Sequence, residues 1–126
     1  MAKRIPYTLE YTVRSSPGIL YEFLSTTSGL QEWFADMVKQ RDGVYSFNWN
    51  GSVEKAKVVD KNQDEFIRFH WMDTPENEYF EFRIRKSEVT SETVLLITDF
   101  AEKNEVHDES QLWDTQLKDL FHRIGS

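Results

Sequence analysis

The first patterned stretch is IPYTLEYTVR, where Ile5, Tyr7, Leu9, Tyr11 and Val13 alternate with Thr8, Glu10, Thr12 and Arg14. A period of two predicts a half-buried strand. The period then changes. Ser16-Pro17 is a helix start, with serine as N-cap and proline at the first helical position, and Ile19, Leu20, Phe23 and Leu24 share one helical face. Ser28 with Gln31 three residues on has capping-box spacing, and Leu30, Trp33 and Phe34 form a second apolar stripe. Helices this short do not hold together alone in water, so both must be pinned to a larger element.

That element is a run of strands. Asp42-Gly43 and Asn50-Gly51 are strong hairpin signals, and between them Tyr45, Phe47 and Trp49 alternate with Ser46 and Asn48. Val53 to Val59 reads as a further strand and residues 61–65 as a turn. Ile67, Phe69 and Trp71 oppose Arg68 and His70; after a polar loop, Phe80, Phe82 and Ile84 oppose Glu81, Arg83 and Arg85. ETVLLITDFA is the last strand, without clean alternation, and EKNEVHDE is an acidic connector. The chain closes on a helix of about sixteen residues, with Asp108 as cap and Gln111 at its third position. Leu112, Trp113, Leu117, Leu120, Phe121 and Ile124 form its apolar stripe, against Asp114, Lys118, Asp119, His122 and Arg123 on the wet side.

The order is strand, two short helices, about six antiparallel strands and one long amphipathic helix. An antiparallel sheet with one polar face needs cover for the other, and the terminal helix is the natural cover. The fold class is therefore α+β, a single domain over residues 1–126: a curved antiparallel sheet of six to seven strands, with the short helices wedged beneath it and the last helix packed over it. Length agrees, since a 126-residue chain buries about two thirds of its unfolded surface.

Charge and composition narrow the chemistry. A net charge of −7 argues against nucleic acid, which needs a basic face. With no cysteine there is no disulfide frame, thiolate chemistry or cysteine-based zinc site. The start, MAKRIPYTLEY, has no apolar run behind its basic residues, and no stretch approaches a membrane span, so a soluble cytoplasmic protein is expected. His70, His107 and His122 lie at positions that do not converge on a metal, and no metal or cofactor is expected. In RIRK, Arg83 and Arg85 share a face that could take an acidic partner or a phosphate, or could balance Glu81, Glu88 and Glu78.

Several of these residues carry a resemblance. Ser16-Pro17, Gly29-Leu30, Trp33-Phe34, FIRFHW ending at Trp71, the Thr-rich ETVLLITDFA, and Trp113 with Leu117 and Leu120 occur in an order that resembles the START-like/Bet v 1-like superfamily. The similarity is greatest to small bacterial proteins of the branch related to the activator of Hsp90 ATPase. It implies a helix-grip fold with a deep apolar cavity between sheet and final helix, used for hydrophobic, lipid-like or polyketide-like molecules. No catalytic signature of the superfamily's enzymes can be placed on these residues.

Under that resemblance Tyr11, Trp49, Phe69, Trp71, Phe82 and Trp113 are the expected lining and Asp99 the polar contact. The same inward set is bulky enough to fill the interior instead. If Thr93, Leu95 and Ile97 face inward, Asp99 does too, toward Trp113; the other reading has Asp99 bonded to the backbone of the acidic connector. The function expected is binding of a hydrophobic small molecule without catalysis. Two alternatives remain: a protein–protein interaction module of the Hsp90-activator type with a filled core, and a cyclase or dehydratase for polyketide-like substrates, for which Asp99 is the one acid in place.

Overall fold

The computed structural model describes residues 3–125; residues 1, 2 and 126, the ends of the expected 1–126 domain, lie outside the described residues. The opening alternation holds in β1 (Arg4–Val13), whose odd-numbered residues turn inward. The chain then crosses beneath the sheet in α1 (Pro17–Ser25) and α2 (Thr27–Gln31). It returns as a meander of β2 (Met37–Arg41), β3 (Val44–Trp49), β4 (Ser52–Asn62), β5 (Phe66–Trp71), β6 (Phe80–Lys86) and β7 (Thr93–Glu102). A 3-10 turn at Lys103–Glu105 leads into α3 (Val106–Ile124). The sheet is antiparallel throughout, in the order β1-β7-β6-β5-β4-β3-β2. This is the helix-grip α+β architecture. The short helices carry the chain from β1 at one edge to β2 at the other, and that crossing is what pins them.

Local chemistry sets most boundaries. The Ser16 hydroxyl accepts from the Ile19 amide and starts α1, as expected. Its buried face is Leu20, Tyr21 and Leu24, whereas Ile19, expected inward, is 55% exposed. Leu20 and Leu24 at i, i+4 face the sheet, and the Tyr21 hydroxyl reaches across to donate to the Phe66 carbonyl at 3.3 Å. The second helix does not use Ser28 and Gln31 as a capping box. Thr26 caps both helices: its hydroxyl donates to the Glu22 carbonyl at 2.7 Å and accepts from the Gly29 amide at 2.9 Å. Gln31 instead accepts from the Val38 amide at 3.0 Å. With one residue between the helices, a Cβ on Gly29 would lie 2.2 Å from the Glu22 carbonyl oxygen, so only glycine fits.

Both hairpins form as read, with positive φ at Asp42, Gly43, Asn50 and Gly51. Strand β4 runs beyond the expected 53–59, because the register shifts between Val58 and Asp60 and pairing resumes on the far side. In β7 the inward residues are Thr93, Leu95, Ile97, Asp99 and Ala101. Helix α3 has 19 residues, longer than expected, because the acidic connector is itself helical from Val106. Asp108 therefore lies inside the first turn and caps nothing by its side chain; there, with Glu109, it offsets the positive end of the helix dipole. Of the apolar stripe, Trp113, Leu117 and Leu120 are buried, while Leu112 is 61% exposed.

The space between sheet and helices is filled with rings. Phe47, Phe69, Phe80 and Phe82 are wholly buried. Phe34, just after α2, inserts among them: its ring lies 5.1 Å from Phe47, 5.8 Å from Phe80 and 5.8 Å from Trp113, stacked on the last two. On the opposite face, buried Glu81 accepts from Arg68 at 2.8 Å and from Arg83 at 3.1 Å. The two guanidiniums also lie over Tyr79 and Phe66. The balancing role foreseen for Arg83 toward Glu81 thus holds, but Glu78 is taken by Arg4 at 2.8 Å.

Candidate functional site

The deep cavity that the family resemblance implies is closed by Phe34 and its neighbours. At one end of the sheet, beneath the first half of α3, a lateral cleft of about 420 Å³ stays open. Its position follows from where strands stop: Trp49 ends β3, Trp71 ends β5, Glu54 lies near the start of β4 and Asp99 near the end of β7. Phe34, Trp49, Trp71 and Trp113 make the apolar walls; Glu54, Glu109, Leu112, Thr115 and Gln116 stand around them, with Asp99 alongside Trp113. The Trp49 and Trp71 rings are 6.1 Å apart at 56°, an open V.

Hydrogen bonds hold these walls. The Phe34 carbonyl accepts from the Trp49 indole at 2.7 Å and from the Gln116 amide at 3.2 Å, tying β3 and α3 to the end of α2. Asp99 faces inward and does not bond the connector backbone. One carboxylate oxygen accepts from the Trp113 indole at 3.0 Å and the other from the adjacent Phe100 amide at 2.8 Å. Burial pushes the Asp99 carboxyl up to about 6, and the charge of Glu109 adds to the rise, against the two N–H donors and Arg4. Tyr7 is paired directly across from Asp99, and its buried hydroxyl, near the Trp113 side chain, has no well-formed hydrogen bond among the described residues. Burial and the charge of Asp99 raise the Tyr7 phenol well above its ordinary value.

Of the seven side chains expected at a binding site, Trp49, Trp71, Asp99 and Trp113 meet at this cleft. The other three do not line it. Phe69 and Phe82 are sealed in the core behind it, because ring packing on both sides leaves them no open face. The Tyr11 hydroxyl donates to Asp114 on α3 and its ring lies against Phe121, so it braces the helix instead. Sequence reasoning missed Phe34, Glu54, Glu109, Thr115 and Gln116. Helical spacing carried a signal for two of them: Glu109 and Gln116 lie four before and three after Trp113, on its side of the helix. Glu54 lies within the expected strand 53–59 and shares the parity of inward Ala56, so its face could be read from the alternation, though a charged residue there gave no cue to a cleft.

Comparison with known proteins places this arrangement. A family model described as the START-like superfamily domain matches residues 1–126. A solution structure of BfR322 from Bacteroides fragilis is 38% identical, covering 95% of this chain and 90% of that one, with a TM-score of 0.70. The Aha1 dimer from Colwellia psychrerythraea is 18% identical with a TM-score of 0.79, covering 95% and 96%. XoxI from Bacillus cereus is 14% identical with a TM-score of 0.73, covering 98% and 96%. The last two likenesses are of fold alone. No protein of curated function matches the chain. Among the described residues, no helix is long and apolar enough to cross a membrane.

Proposed function

The chain belongs to the START-like superfamily, and on that premise we propose that it binds a hydrophobic small molecule in the cleft beneath α3 and performs no reaction on it. One observation carries this reading: beside a core packed with rings, four aromatic side chains border about 420 Å³ of open space. Small-molecule sites commonly occupy 300–1,000 Å³, with apolar walls and a few fixed polar groups. Asp99, held by Trp113, is such a group.

The test is native mass spectrometry of freshly purified protein, then a thermal-shift panel of fatty acids, sterols, flavonoids and polyketide mimics. A co-purified mass, or a melting temperature that climbs with ligand concentration, supports the reading; at a hundred times Kd the gain is about 2.7 kcal/mol. Trp71→Leu, which removes one wall, should reduce that gain. A bare mass and a flat panel would instead favour the interaction-module reading. One feature favours that second reading: Met37 and Val53 are exposed and lie with Lys39, Ser46 and Asn48 around an apolar hollow on the outer face of the sheet. Stimulation of a purified Hsp90-type ATPase, lost in Val53→Asp, would support it.

A further inference from the structure

The cleft has an uneven supply of hydrogen-bonding groups. Its donors are largely spent inside the protein. The Trp49 indole and the Gln116 amide donate to the Phe34 carbonyl, the Trp113 indole to Asp99, and the Thr115 hydroxyl to the Gln111 carbonyl. The Trp71 indole is the exception. The cleft's free carboxylates are those of Glu54 and Glu109, since both oxygens of Asp99 already accept from Trp113 and Phe100, and among the described residues no lysine, arginine or histidine lines it. The remaining surface is aromatic; Trp49 is stacked on Phe47 and Trp71 lies against Phe80, so each indole of the V keeps at most one ring face for a guest.

A carboxylate-bearing ligand would meet three acids and no cation there. A neutral ligand would bury its apolar body but leave the acids unanswered. A positive charge would be answered twice, by the carboxylates and by the negative faces of the indoles, which attract a cation within about 6 Å of the ring centroid. The net charge of −7 acts in the same direction over longer range.

We propose that the ligand taken by this cleft is an organic cation, a protonated amine on an apolar body, with its ammonium between Glu54 and Glu109 and against the Trp49 and Trp71 rings. This rests on the small-molecule reading above and narrows it. The apolar body lies along Phe34 and Trp113, and the exposed Leu112 side chain covers it from the helix side.

The test uses three probes of one shape: 4-phenylbutylamine, 4-phenylbutanol and 4-phenylbutanoate. Each is titrated into the full chain at pH 7.5 and followed through the indole N–H resonances. The amine should bind about tenfold more tightly than the alcohol, the scale of a cation–π contact combined with a partly exposed ion pair. The butanoate should bind most weakly. In Glu54→Gln/Glu109→Gln, both at the cleft rim, the amine should fall to the level of the alcohol while the alcohol stays unchanged. An alcohol that binds as tightly as the amine, or a butanoate that binds more tightly, overturns the cation assignment and leaves small-molecule binding standing. If none of the three binds at millimolar concentration, the cation assignment falls; the small-molecule reading falls with it only where the mass is bare and the thermal-shift panel is flat as well.

Discussion

The Asp99 carboxyl offers a measurement that isolates one group. It titrates near 6 in the folded chain, chiefly through burial, against an ordinary value of 3.8. Because the folded value is raised, the folded state holds a proton that the unfolded state has released between those two pH values. The contribution of Asp99 to stability is therefore full below about pH 3.8 and falls as pH rises toward 6, by about 1.36 kcal/mol per pH unit. The total is about 3 kcal/mol, or roughly 10 °C in melting temperature for a domain of this size. Asp99→Asn keeps the shape and removes the titration, so the stability of wild type minus that of the variant cancels the other acids. Urea unfolding followed by tryptophan fluorescence from pH 4 to 7.5 gives that difference curve, with Trp113 as a reporter bonded to the group itself. The difference should fall by about 2.4 kcal/mol between pH 4 and 7.5 and be level above pH 7. A curve flat to within about 0.5 kcal/mol would show that Asp99 titrates as an ordinary carboxylate and that burial does not govern it.

Three further outcomes are expected. Gly29→Ala should lower unfolding free energy by about 2–3 kcal/mol in urea, because its Cβ would meet the backbone of Glu22 and Phe23; an unchanged midpoint would mean that the α1–α2 contact is looser than described. Gly51→Val, at φ +88°, should cost about 1–2 kcal/mol in thermal unfolding, and a neutral result would refute the left-handed turn there. Glu81→Gln should cost about 2 kcal/mol at pH 7, since its hydrogen bonds to Arg68 and Arg83 are charge-assisted. Burial pushes the Glu81 carboxyl up, but the hydrogen bonds and charges of Arg83 and Arg68 outweigh it and leave it below its ordinary value. Its contribution is thus present near neutrality and lost in acid, so the gap between wild type and Glu81→Gln should narrow as pH falls from 5 to 3; a constant gap would refute the ion cluster.

Much of the fold was legible because it rests on local rules. Alternation gave the inward faces of β1, β5 and β6, the Asp-Gly and Asn-Gly pairs gave the hairpins, and Ser16-Pro17 gave the start of α1. The misreadings occurred where contact outside the local window decides. Thr26 caps two helices at once only because they touch, and the acidic connector becomes helix because the sheet beneath α3 accepts it. A bulge such as the one between Val58 and Asp60 looks like a strand end when the partner strand is not known, which is why β4 reads short from the sequence. The inward aromatic set was identified, but which of its members border open space depends on how far Phe34 penetrates. No pattern along the chain states that depth, which is why Phe69 and Phe82 stood among the expected lining residues and Glu54 and Glu109 did not.

The two hydrogen bonds accepted by the Phe34 carbonyl set how this molecule can accommodate a guest. The same peptide that presents the Phe34 ring to the core also holds Trp49 and Gln116, on opposite sides of the cleft. Each wall can retreat only by giving up its own hydrogen bond to that one atom, a net cost of about 1 kcal/mol apiece. The longer bond, from Gln116, is the one that yields first and lets α3 lift while Trp49 stays on β3. Affinity along a series of lengthening ligands should therefore rise steadily and then lose about fivefold at the length that first parts Gln116 from the Phe34 carbonyl.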